Sequence, residues 1–232
     1  MQWDIPSDER GKLNCWVFKQ FVGLLSGLAT IHCIPLSDGR SYLQARHGDL
    51  RPANFLLMGH ISTDPCQIDD IMSYKLQIAS MAMTDLFKDE SQYTIPSETG
   101  TYQGPECLLQ QAIGPLYDIW SLGCVFLEMI IWLAEGQTGL MAFASDRTAP
   151  DPLLGDRLKD DYFFTLKAKD GSCIGAEVKH SVLTWLERMS RDERLDACLI
   201  SALKVIKADM LVPDSRQRLG PHELAEKLKG VH

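Results

Sequence analysis

The chain has 232 residues, is 45% hydrophobic and 23% charged, and carries 31 acidic against 23 basic residues for a net charge of −8. These are the proportions of a folded globular chain, and they exclude wholesale disorder, collagen-like repeats and low-complexity character. The negative balance repels phosphate backbones and anionic lipid, so no nucleic acid and no membrane are expected as partners.

Along the chain, Ser7-Asp-Glu-Arg10 reads as a polar helix entry. From Leu13 to Ile34, apolar residues recur at helical spacing (Trp16, Val17, Phe21, Leu24, Leu25, Leu28, Ile31), which predicts an amphipathic helix ended near Pro35. Ser37 to Arg46 reads as loop. Phe55–Met58 and Tyr74–Ala79 are short apolar runs suited to strands, separated by a polar insertion. Lys88 to Tyr102 is polar and reads as an exposed segment carrying Thr94, Ser97 and Thr99. Asp118 to Glu135 predicts a helix that is apolar nearly all round and buried on every side, with Trp120 and Trp132 in the core. Gly136 to Gly175 reads as mostly irregular, and Val178–Met189, Leu195–Leu211 and His222–Leu228 as three further helices. With no internal repeat and no linker, residues 1–232 form one mainly α domain.

The seven cysteines (Cys15, Cys33, Cys66, Cys107, Cys124, Cys173 and Cys198) are odd in number and never at CxxC spacing. That is the pattern of single core thiols in a reducing compartment. The opening residues include acids and lack an apolar signal-peptide core. The longest apolar run, Ile119 to Ala134, is interrupted by Ser121, Gly123 and Glu128 and is short for a transmembrane segment. A cytoplasmic or nuclear protein is the expectation.

The chemistry concentrates in His47-Gly-Asp-Leu-Arg-Pro-Ala-Asn54, between a helix and a strand. An Asp on a loop stiffened by Pro52 could orient a hydroxyl and accept its proton, and an Asn five residues later could offer a neutral oxygen to a metal. The same residue types are also the commonest turn formers, so these residues alone fit a plain turn equally well.

H-x-D-L-x-P-x-N followed by a strand resembles the catalytic loop of the eukaryotic protein kinases. Further resemblances follow in order: Gly100-Thr-Tyr-Gln-Gly-Pro-Glu106 to the end of the activation segment, with Gly104 in place of the Ala of A-P-E; Tyr117-Asp-Ile-Trp-Ser-Leu-Gly123 to the start of the large lobe's central helix; and Asp214-Ser-Arg-Gln-Arg218 to the D-P-x-x-R stretch. The Ile130-Ile-Trp-Leu133 run is reminiscent of fungal kinase-like proteins. The resemblance spans about Trp16 to Leu228. It implies a protein-kinase-like fold, here the helical C-terminal lobe with a few short strands and the N-terminal β lobe absent.

It also implies roles. Asp49 would be the base, Arg51 would steady the transferred phosphate and Asn54 would hold one Mg²⁺, with ATP and Mg²⁺ as the expected cofactors. Glu106 and Arg218 would form a buried ion pair, and Asp118 would accept hydrogen bonds from the catalytic loop's backbone. Three departures stand against full activity. No G-x-G-x-x-G or strand lysine precedes the first helix. After Leu76-Gln-Ile-Ala79, Ser80-Met81-Ala82 replaces the metal-binding D-F-G; a gapped alternative would use Asp85-Leu86-Phe87 instead. Gly48 replaces the arginine that clamps a phosphate on the activation segment, so Thr94, Ser97 and Thr99 lack that receiver.

Three readings follow. The first is a catalytically impaired pseudokinase fragment that acts as a platform for a protein partner. The second is an active Ser/Thr kinase whose upstream half lies outside these residues. The third is a small-molecule phosphotransferase, whose H-G-D-L loop Gly48 matches but whose metal Asp is missing.

Overall fold

Helix α1 (Ser7–His32) carries Val17, Phe21, Leu24, Leu25 and Leu28 three and four residues apart, and all five are buried on one face. The computed structural model describes residues 7–38, 40–59, 72–81, 84–88, 100–148, 161–169 and 172–230. Among the expectations above, Thr94, Ser97, Thr99, Ala82 and Cys66 lie outside the described residues, as do most of the insertion after Met58 and the side chain of Cys173.

After α1 the chain forms β1 (Cys33–Pro35) and β2 (Tyr42–Arg46), and β5 (Asp85–Phe87) completes an antiparallel sheet in the order β1-β2-β5. Cys33 stands opposite Gln44, and Arg46 opposite Asp85. Strand β2 corrects the loop expected over Ser37–Arg46. Tyr42-Leu-Gln-Ala-Arg46 lacks the alternation of a half-buried strand, and its strand character comes from a partner on each side. Strands β3 (Phe55–Met58) and β4 (Lys75–Ile78) lie within the two runs expected to be extended and pair antiparallel, Phe55 opposite Ile78.

A short helix α2 (Pro105–Leu108) precedes the central α3 (Tyr117–Thr148). The first part of α3 is buried on nearly all sides, and Phe126 stacks on Phe21 of α1 with ring centroids 3.9 Å apart. By length and composition α3 could cross a membrane, but most of its apolar stretch is enclosed by the rest of the protein. At Gly136 the backbone takes φ 66°, ψ −157°, a conformation open to glycine, and the helix breaks there. It then resumes to Thr148 rather than becoming irregular, because Leu140, Phe143 and Arg147 fall three and four apart on one inward face. A second correction concerns the tryptophans. Trp120 is fully buried, whereas Trp132 is 40% exposed, since its side of α3 faces a cleft rather than another helix.

Strands β6 (Phe164–Lys169) and β7 (Ser172–Val178) form a hairpin, Phe164 opposite Val178, where irregular chain was expected. The alternating Phe164-Thr-Leu-Lys-Ala-Lys169 and the following Asp170-Gly171 are its sequence signal. Val178 therefore closes a strand, and α4 begins two residues later (His180–Met189). Helix α5 (Ala197–Val205) is capped by Asp196, which accepts from the Leu199 N–H at 3.0 Å. It passes into a wider π turn at Ile206–Met210, so the single helix expected over Leu195–Leu211 is two pieces. Helix α6 (Pro221–Lys229) ends the described chain and packs on α1.

Candidate functional site

The loop His47–Asn54 leaves β2 and enters β3 through a 3₁₀ turn at Pro52–Asn54. Its shape is set from below by Asp118, in the first turn of α3 and fully buried. One carboxylate oxygen accepts from the His47 N–H at 2.7 Å, and the other from the Gly48 N–H at 2.9 Å. His32, in the last turn of α1, adds its Nε2 to the same carboxylate at 2.9 Å. Gly48 has φ 82°, a left-handed turn that glycine takes without cost.

His47 is buried and uses both ring nitrogens in its neutral form. Nε2–H donates to the Ala79 carbonyl at 2.9 Å, and Nδ1 accepts from the Asp49 N–H at 3.3 Å. Ala79 in turn donates its N–H to the Asn54 carbonyl at 2.9 Å. Both backbone groups of Ala79 are therefore tied to the loop, and the next residue, Ser80, emerges beside it. Ser80 is exposed and holds φ 66°, a conformation that costs a serine strain.

Asp49, Arg51 and Asn54 are brought together, and Ser80 follows Ala79 at the edge of the same loop. The Asn54 amide nitrogen donates to the Asp49 carbonyl at 2.7 Å and to its carboxylate at 2.8 Å. The Arg51 Nε lies 3.3 Å from the same carboxylate oxygen. A polar cavity of about 140 Å³ opens beside Asp49, walled by Arg51, Thr101, Gln103 and Ser121. Asp85, the gapped alternative, sits elsewhere: it is in β5 and ion-paired with Arg46.

Glu106 and Arg218 are both buried and meet in a two-pronged pair, at 2.7 and 2.8 Å. The remaining Arg218 donors reach the carbonyls of Val212, Pro213 and Leu116. The pair also accounts for Gly104: a Cβ there would come within 2.4 Å of the Glu106 carboxylate. Nearby, Tyr102 donates its hydroxyl to Glu128 at 2.7 Å, and Arg147 pairs with the other Glu128 oxygen at 2.8 Å. Burial, reinforced by Glu128, holds the Tyr102 phenol far above its ordinary range.

Sequence reasoning missed His32, Arg46 and the Glu128–Arg147 pair. For His32 the only available signal was its place four residues after Leu28, on the buried face of α1.

The sequence model of the protein kinase domain matches residues 16–144. The chain is also 33% identical over 99 residues to the "Meiotic mRNA stability protein kinase SSN3" of Saccharomyces cerevisiae (strain ATCC 204508 / S288c). That match covers 41% of this chain and 16% of the yeast protein, so the chain corresponds to a small part of its relative. With more than half of its residues matching the family, and with the motif loop, its supporting Asp118 and the Glu106–Arg218 pair assembled around one mainly helical core, the chain belongs to the protein kinase domain family.

Proposed function

We propose that this kinase-domain chain serves as a protein-binding platform in which ATP- and Mg²⁺-dependent phosphoryl transfer is impaired. The observation that carries the reading is Ser80, placed beside the catalytic loop by both backbone hydrogen bonds of Ala79. A Mg²⁺ ion in this family is held by carboxylate oxygens together with the loop's Asn. Among the described residues, the oxygens offered here are a serine hydroxyl, the Asn54 amide and an Asp49 carboxylate already engaged by Asn54 and Arg51. That donor set does not fit the ion. Losing about 4 kcal/mol of charge stabilisation slows a reaction on the order of a thousandfold. The platform side of the reading is supported by β3, where Leu56, Leu57 and Met58 are 51%, 49% and 48% exposed in succession. An apolar run of that kind is the surface a protein partner covers.

A second reading, favoured by Asp49 and Arg51 lining a cavity with Asn54 hydrogen-bonded to Asp49, is an active Ser/Thr kinase completed by residues outside this chain. In it Asp49 takes the proton of an acceptor hydroxyl, and Arg51 steadies charge on the transferred phosphate. Thermal unfolding with and without ATP and Mg²⁺ separates the two. The platform reading expects an unchanged melting temperature. A rise of several degrees that disappears in Asn54→Ala would overturn it in favour of the second.

A further inference from the structure

Arg46, the last residue of β2, is 1% exposed. Its Nη1 donates to the Ile113 carbonyl at 2.7 Å, and its Nη2 pairs with the Asp85 carboxylate. Its guanidinium carbon lies 5.6 Å from the centre of the Phe87 ring and 5.9 Å from that of Tyr117. Strand β5, the connecting segment at Ile113 and the start of α3 therefore converge on one cation. The register makes this possible, since Arg46 stands directly opposite Asp85 in the β2–β5 ladder. Two residues on, Gly48 offers no side chain at all.

We propose that Arg46 and Asp85 form a built-in clamp that anchors β5, the base of the segment running on to Gly100, to the catalytic loop without phosphorylation. A phosphate-gated clamp needs an arginine that waits for an added anion. Arg46 instead has a carboxylate from the chain itself, directly across the ladder. The aromatic faces of Phe87 and Tyr117 shield the guanidinium and favour its staying in place, and a buried arginine deprived of its carboxylate would be strongly disfavoured. The inference rests on reading the residues from Ser80 to Glu106 as the kinase activation segment, and it does not depend on whether phosphate is transferred.

Hydrogen exchange on the intact chain, followed by mass spectrometry over residues 84–88 and over α3, tests the clamp. Asp85→Asn is expected to speed exchange at β5 tenfold or more while α3 keeps its protection. The triple variant Thr94→Glu, Ser97→Glu, Thr99→Glu is expected to leave β5 within twofold of the parent. Wild-type exchange in Asp85→Asn, or a tenfold change at β5 in the triple variant, would overturn the proposal. The Asp85 side chain is 42% exposed, so its amide variant keeps the test open even where Arg46→Met does not fold. Phosphoryl transfer by the chain would contradict the impaired-kinase reading and leave the clamp untouched.

Discussion

His32 and Asp118 meet at 2.9 Å, joining the last turn of α1 to the first turn of α3 across 86 residues of sequence. The same carboxylate holds the N–H groups of His47 and Gly48, so the loop His47–Asn54 is shaped by a residue that does not line its cavity. Asp118→Ala strands two buried backbone donors and takes the partner from the His32 Nε2, and is expected to cost about 3 kcal/mol. His32→Gln, which can still donate, is expected to cost about 1 kcal/mol. Urea unfolding curves measure both, and a neutral Asp118→Ala would show that the loop holds its shape without it.

The Glu106–Arg218 pair makes a sharper prediction. Arg218→Met leaves a buried carboxylate without its partner, an expected loss of about 3–5 kcal/mol. Gly104→Ala, a restoration of the family's own residue, is expected to destabilise this chain by about 1–3 kcal/mol, because the new methyl group meets the Glu106 carboxylate. The same urea measurement reads both variants, and an unchanged or raised midpoint for Gly104→Ala would contradict the packing described.

Stability is expected to fall in alkali. Burial raises Cys124 well above its ordinary 9.0, and burial first, then Cys107, raises Tyr117 above its ordinary 10.0; Tyr102 is raised by burial and Glu128. Each group is neutral when protonated, and the fold keeps the proton at pH values where the unfolded chain has released it. The unfolded state then binds fewer protons, so the stabilisation is complete below about pH 9 and is lost as pH rises through 9 and 10. The slope reaches about 1.4 kcal/mol per pH unit for each group. Urea midpoints from pH 8 to pH 11 should drop, and Tyr117→Phe should flatten the drop; a level wild-type profile would refute the assignment.

Trp132 should report on the cleft it walls with Pro52, Phe55, Leu76 and Leu140. At 40% exposure its fluorescence is open to acrylamide, whereas Trp120 is enclosed. Trp132→Phe is therefore expected to lower the quenchable fraction of the emission, and Trp120 to contribute little to it. Equal quenching in parent and variant would place Trp132 inside.

The grouping of the loop His47–Asn54 was legible in the sequence because its residues are consecutive and short apolar runs that form β3 and β4 follow it. Glu106, Asp118 and Arg218 were legible through their motifs. What escaped were relationships made only in space. Strand β2 ends on Arg46, a charge that reads as solvent-facing until Asp85 is seen across the ladder. The resumption of α3 after Gly136 was hidden because the glycine interrupts the periodicity and Arg147, the inward residue at its far end, is charged. Trp132 misled because an apolar helix says how much of it is buried, not which residue borders a cleft.

With Ser80 at the metal position, phosphoryl transfer is expected to lack its carboxylate anchor. The most direct measurement is transfer of label from γ-labelled ATP with Mg²⁺ to a general acceptor protein, with this polypeptide as the sole source of activity. Label is expected at background for the wild-type chain and for Asp49→Asn alike. Label above background that vanishes in Asp49→Asn would contradict that expectation.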